Sequence, residues 1–84
     1  MRGEVTAYPW LSVRAGSPSR AGGVHPNVHF PQGMELEWSS SQIVEGEPVS
    51  GEARWIQVGT AGPEWGDREG QDLYIWMGGL KVIQ

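Results

Sequence analysis

At 84 residues the chain is read as one domain, 1–84, near the size at which a single apolar core becomes self-sufficient, and its five tryptophans are the main material for that core. Ten acidic against six basic side chains leave a net charge of −4, which speaks against nucleic acid or an anionic membrane as partner. Cysteine is absent, so neither a disulfide nor a thiolate-bound metal can replace packing.

Thirteen glycines and six prolines break every window in which apolar residues recur at helical spacing, and the expectation is an all-β fold of about six short strands. Glu4–Tyr8 is expected to form the first strand, ended by Pro9. In Trp10-Leu11-Ser12-Val13-Arg14 the alternation turns Leu11 and Val13 inward and leaves Trp10, Ser12 and Arg14 on the other face. Ala15 to Asn27 reads as a long loop, and Val28-His29-Phe30 as a short strand closed by a Pro31-Gln32-Gly33 turn. Met34, Leu36 and Trp38 alternate with Glu35 and Glu37, the pattern of a half-buried antiparallel strand with the first three inside. Gln42–Glu45 is a further strand, and Gly46–Gly51 a turn-rich connection whose acidic residues Glu45, Glu47 and Glu52 are read as solvated.

The chain is organised around two runs, Trp55-Ile56-Gln57-Val58 and Asp72–Leu80, rich in the best strand formers and expected to be the central pair of a small barrel. Between them Gly59–Gln71 forms a second long loop carrying Trp65, Glu64, Asp67 and Glu69, and Leu80–Ile83 closes the barrel. Tyr74 and Trp76 share one face of their strand, Leu73 and Ile75 the other. Two readings of Trp76 stand: it faces outward beside Trp10 if Ile75 fills the core, or it is itself buried with Ile75 outside. Open sheet edges at Val5–Tyr8 or Lys81–Gln84 offer places for chains to pair.

No catalytic set emerges. There is no cysteine nucleophile, and Ser39-Ser40-Ser41 lacks the elbow that activates a serine. His25 and His29 lie about 13 Å apart on an extended chain, too far for one metal ion. No cofactor or metal is expected. No run reaches the length of a membrane helix, and no apolar stretch of a secretion signal follows Met1-Arg2-Gly3-Glu4, so the protein works inside the cell or the chain belongs to a longer exported one. The surplus of aromatic side chains points to binding: Tyr8, Trp10, Arg14, Trp65, Tyr74 and Trp76 are the expected ligand-binding residues. The acidic residues of the second long loop would favour a cationic or amide-rich peptide.

Four segments carry a resemblance to a known family. Leu11–Ser19 resembles the Leu-Asn-Val-Arg-Ser-Gly-Pro-Ser segment that opens bacterial SH3-like (SH3b) domains, and Phe30–Leu36 is similar to their Leu-Pro-Lys-Gly-Thr-Lys-Val turn. Trp55–Val58 is similar to their Trp-Tyr-Lys-Val strand, and Tyr74–Leu80 to their Tyr-Val-Trp-Ala-Gly-Gly closing segment, in the same order across Val5 to Val82. Ser12 stands where asparagine is usual, and a serine precedes Pro18. The resemblance implies an SH3-like barrel of five to six short, strongly bent antiparallel strands with two long loops. It also implies a non-catalytic module that binds peptidoglycan peptides or protein partners at the cell envelope. The competing expectation is an assembly domain whose apolar patch is a protein–protein or homo-oligomer contact.

Overall fold

The computed structural model describes residues 1–60 and 72–83, with the side chains of 25–28, 59 and 60 outside the description. Within them the β-branched and aromatic segments form eight strands: β1 Arg2–Val5, β2 Trp10–Ala15, β3 Gly23–Pro31, β4 Glu35–Glu37, β5 Ile43–Val49, β6 Glu52–Thr60, β7 Asp72–Trp76 and β8 Leu80–Ile83. Short 3-10 turns at Ser40–Gln42 and Met77–Gly79 lead into β5 and β8. The fold is all-β and its strand pairings are antiparallel. They build a three-stranded sheet in the order β4-β1-β8 and a five-stranded sheet in the order β3-β2-β7-β6-β5.

One core links the two sheets. Val5 from β1, Leu11 and Val13 from β2, Ile56 from β6, Ile75 from β7, and Trp38 and Met77 are buried together, and Phe30, Leu36, Val58 and Leu80 pack around them. The expected central pair is β6 and β7, in register Trp55 to Trp76, Ile56 to Ile75 and Gln57 to Tyr74. Directly opposed residues of an antiparallel pair share a face, so Ile56 and Ile75 point into the core while Trp55, Trp76, Gln57 and Tyr74 lie on the far side.

Several expectations are corrected. The first strand is Arg2–Val5 and not Glu4–Tyr8, because the amides of Thr6 and Ala7 both turn to the Gly79 carbonyl, at 2.9 and 3.4 Å, instead of continuing a ladder. That strand lies between β4 and β8, so it is not an open edge. The loop expected from Ala15 to Asn27 ends at Gly22, where β3 begins. The one residue of β2 between Ser12 and Arg14 is matched by four of β3 between Val24 and His29, so Pro26 sits in a bulge on an edge strand, where a missing amide is tolerated.

Met34, expected inside, is 40% exposed. Its amide closes the turn by donating to the Pro31 carbonyl at 3.1 Å, with Gly33 at φ 91°, so it belongs to the turn and precedes β4. Finally, β5 runs through Gly46, Glu47 and Pro48 to Val49, and the connection to β6 shrinks to Ser50-Gly51. Both turn residues have positive φ, 51° and 86°, the mirror-image geometry that matches the twist of a two-residue hairpin and suits glycine.

Of the acidic residues of this hairpin, Glu45 is exposed as expected while Glu47 and Glu52 are paired with arginines. Glu52 accepts from the Arg54 amide at 3.0 Å, from its Nε at 3.0 Å and from its Nη2 at 2.8 Å. The Arg54 guanidinium hydrogen bonds, ahead of the amide, hold the Glu52 carboxyl down at about 2. A carboxyl depressed on folding adds stability above its unfolded value and loses it as the pH falls through the folded one. Thermal melts of wild type and Glu52→Gln should therefore differ at pH 6 and converge between about pH 4.5 and 2. The pair is solvent-facing, so the gap should be on the order of 2–4 °C in Tm. A gap that persists unchanged at pH 2 would assign it to the side-chain exchange and not to the charge.

Candidate functional site

The far face of the five-stranded sheet is where polar and aromatic side chains meet. Alternation along β2 puts Trp10, Ser12 and Arg14 there, and the register of Arg14 with Tyr74 continues the face onto β7 and then to Trp55 on β6. A flat sheet would leave all of these in water, yet Trp55 is only 2% exposed. The covering element is the loop Gly16–Gly22, which folds back over the sheet.

That loop is held from both sides. Internally the Ser19 amide donates to the Ser17 carbonyl at 2.9 Å and the Gly22 amide to the Ser19 carbonyl at 3.1 Å. From β2, Arg14 Nη1 donates to the carbonyls of Arg20 at 3.2 Å and Gly22 at 3.3 Å. From β5, the Glu47 amide donates to the Pro18 carbonyl at 2.9 Å, and the Glu47 carboxylate accepts from both the amide and Nε of Arg20 at 3.0 Å. Those bonds from Arg20, backbone first, lower the Glu47 pKa. Gly46 makes the closure possible: a β-carbon there would run into the Pro18 carbonyl and stand 2.7 Å from the Trp55 ring. The absence of a side chain lets loop, strand and indole stack in contact.

Both indoles beneath the loop are oriented by the β5–β6 hairpin. Trp55 Nε1 donates to the Glu47 carbonyl at 3.0 Å, and Trp76 Nε1 to the Glu52 carbonyl at 2.9 Å. With their polar atoms satisfied, the rings present apolar surface. They form part of a cavity of ≈ 230 Å³ lined by Leu11, Ser12, Arg14, Arg20, Val49, Trp55 and Trp76. Further along β2, Trp10 is 47% exposed and tilts against His29, their ring centroids 4.6 Å apart at an interplanar angle of 38°. Tyr8, just before it, is 83% exposed.

Of the expected ligand-binding residues, Arg14 and Trp76 line this cavity, Trp10 extends the same face of β2 as an exposed aromatic, and Tyr8 is exposed just before that strand. Ile75 is fully buried and Trp76 half-buried, so the two faces of β7 are arranged as in the outward reading of Trp76. Tyr74 is half-buried beside Arg14, and its hydroxyl donates to Asp72 Oδ2 at 3.3 Å. Burial, then the Asp72 charge, raises its pKa. Tyr74 stands outside the cavity lining. Trp65, with Glu64, Asp67 and Glu69, lies outside the described residues.

Five lining residues were not among the expected ligands, Leu11 among them because the alternation turns it toward the core. Ser12 shares the alternation that marked Trp10 and Arg14, and that signal was there to be read. Trp55 looked like ordinary strand material, and only its register opposite Trp76 reveals that it belongs to the far face. Arg20 and Val49 arrive by the long-range docking of loop on hairpin, which leaves no local pattern. Arg14 bonds the backbone carbonyls of the loop, and the carboxylates of Glu64, Asp67 and Glu69 lie outside the described residues.

A larger hollow, ≈ 840 Å³, opens beside β1 and β8 near Arg2, Glu37, Trp38, Gln42 and Val82. Its aromatic, Trp38, is buried, and Arg2 already faces Glu35 at 3.6 Å, so it offers a ligand less than the two-tryptophan cavity does. Among the described residues no three His, Asp or Glu side chains gather to hold a metal ion. Comparison with family models, curated proteins and solved structures finds no match to the chain.

Proposed function

We propose that the protein is a non-catalytic binding module of the SH3-like kind that recognises an extended peptide along the far face of its five-stranded sheet. The observation that carries this reading is the continuity of that face: an exposed Trp10–His29 stack on the same side of β2 as Ser12 and Arg14, which open into the cavity between Trp55 and Trp76. Exposed aromatics give large contact area at little entropic cost, and an adjoining cavity gives one anchoring point. The groups whose titration departs from ordinary values, Glu47, Glu52, Arg54 and Tyr74, each do so because of a structural partner or burial. The resemblance to SH3b domains makes bacterial cell-wall peptide the first ligand to try, and with it a place at the cell envelope.

The test is co-sedimentation with purified peptidoglycan and titration of extended peptides, read by tryptophan fluorescence. Retention and quenching are expected, with Trp10→Ala weakening binding by about 30-fold if the stack is a hot spot. Neither retention nor quenching with any ligand would remove the reading. The alternative, assembly of copies or of a protein partner, is favoured by β8, an edge strand with Val82 47% exposed. Sedimentation velocity over a concentration series separates the two, since assembly through that edge makes the sedimentation coefficient rise with concentration.

A further inference from the structure

The charge inside the cavity differs in sign from that of the whole chain. Two arginines line it, and Arg20 is neutralised by Glu47. Glu52, on the neighbouring strand, is engaged by Arg54, and Asp72 accepts from Tyr74. Glu47 also feels the charge of Arg14, but Arg14 forms no salt bridge among the described residues: its Nη1 serves two carbonyls, leaving the other edge of the guanidinium for a ligand. Among the described residues, two arginines and the carboxylate of Glu47 leave the cavity with a net positive charge in a molecule of net charge −4. One spare guanidinium edge matches a monoanion, and a planar carboxylate fits that edge better than a phosphate dianion, which the surrounding acidic groups would also repel.

Size narrows the choice further. A volume of ≈ 230 Å³ is below that of a pocket enclosing a whole ligand and suits one residue. Trp10 and Arg14 are four positions apart on an extended strand, about 13 Å, the reach of about four peptide residues.

We infer that the cavity takes the C-terminal residue of the peptide, with its carboxylate on Arg14 and its side chain against Trp55 and Trp76, while the preceding residues run along β2 to Trp10 and Tyr8. This specificity rests on the binding-module reading above.

The experiment uses three pools of randomised N-acetylated pentapeptides: one with free C termini, one C-terminally amidated, and one amidated with a single internal Asp or Glu. Each is titrated against the whole chain, with tryptophan fluorescence as readout. The free-acid pool should bind about tenfold more tightly than the amide pool, the worth of one charge-assisted contact. Arg14→Gln, which removes the guanidinium and its charge, should bring the ratio close to one. Arg14→Lys should retain part of it, and Lys81→Gln, the same charge removed on β8 of the other sheet, should leave it intact. Thermal melts of each variant establish that it is folded. Equal binding of acid and amide pools, or a ratio that survives Arg14→Gln, overturns the assignment while leaving the module a peptide binder. Binding of the internal-acid pool as tight as the free-acid pool overturns the terminal placement. No binding of any pool overturns both the inference and the reading beneath it.

Discussion

Trp55→Ala is expected to destabilise the protein by about 3–5 kcal/mol, the range for emptying a buried aromatic site, whereas Trp10→Ala should change stability by less than about 1 kcal/mol. Both residues lie on the far face of the same sheet. The difference arises because Trp55 is 2% exposed, packs against Gly46 and donates its Nε1 to the Glu47 carbonyl, while Trp10 stacks on His29 and is 47% exposed. Removing the Trp55 ring leaves the loop Gly16–Gly22 without a floor and the Glu47 carbonyl without its donor. For a domain of this size each kcal/mol moves Tm by roughly 4–8 °C, so the loss should exceed about 12 °C. Chemical denaturation of the two variants side by side checks this. Equal, small effects would mean that the loop does not close over the sheet, and the cavity would go with it.

Ile75→Ala should cost about 2–5 kcal/mol, and Ile75→Val only about 0.5–1.5 kcal/mol. Ile75 is fully buried on the middle strand of the five-stranded sheet, opposite Ile56 and within the cluster formed by Val5, Leu11, Val13 and Met77. No wide collapse can fill the gap, because neighbouring strands on both sides hold the β7 backbone through their ladders. Small domains hold a total stability of only about 0.05–0.15 kcal/mol per residue, so the alanine variant is expected to fall close to unfolding at ambient temperature. The urea midpoints of Ile75→Ala and Tyr74→Ala should therefore differ widely. The reverse order would mean that β7 is shifted by one residue, since such a slip exchanges its two faces.

How much could be read ahead of the coordinates depended on whether a segment states its own environment. Trp10–Ala15 alternates cleanly, and its buried residues, Leu11, Val13 and Ala15, are on the face the pattern names. Pro31-Gln32-Gly33 and Leu80–Ile83 also carry their own instructions, in turn chemistry and in strand formers. Leu73–Trp76 does not: it is apolar on both faces because one meets the core and the other the covered cavity, so periodicity alone left Trp76 open. In Gly22–Pro26 the glycines and proline imitate a loop, and edge position with a bulge is what permits a strand there. The six residues from Gly46 to Gly51 were misread for a similar reason. Gly46 is needed for close approach to Pro18, and Pro48 sits on the outermost strand of the sheet.

Composition and local pattern were thus enough to establish short antiparallel strands, the central Trp55–Val58 and Asp72–Trp76 pair, and an excess of aromatic side chains over what one core holds. Those properties depend on neighbours one to four residues apart, and the chain writes them down directly. Which aromatics end up wet, that Trp55 is covered, and that Arg14, Arg20 and Val49 meet around one cavity were settled by contacts such as Arg20 to Glu47, 27 residues apart. Closing a loop onto a distant hairpin is decided by the summed fit of both surfaces, and no short stretch of sequence contains that sum.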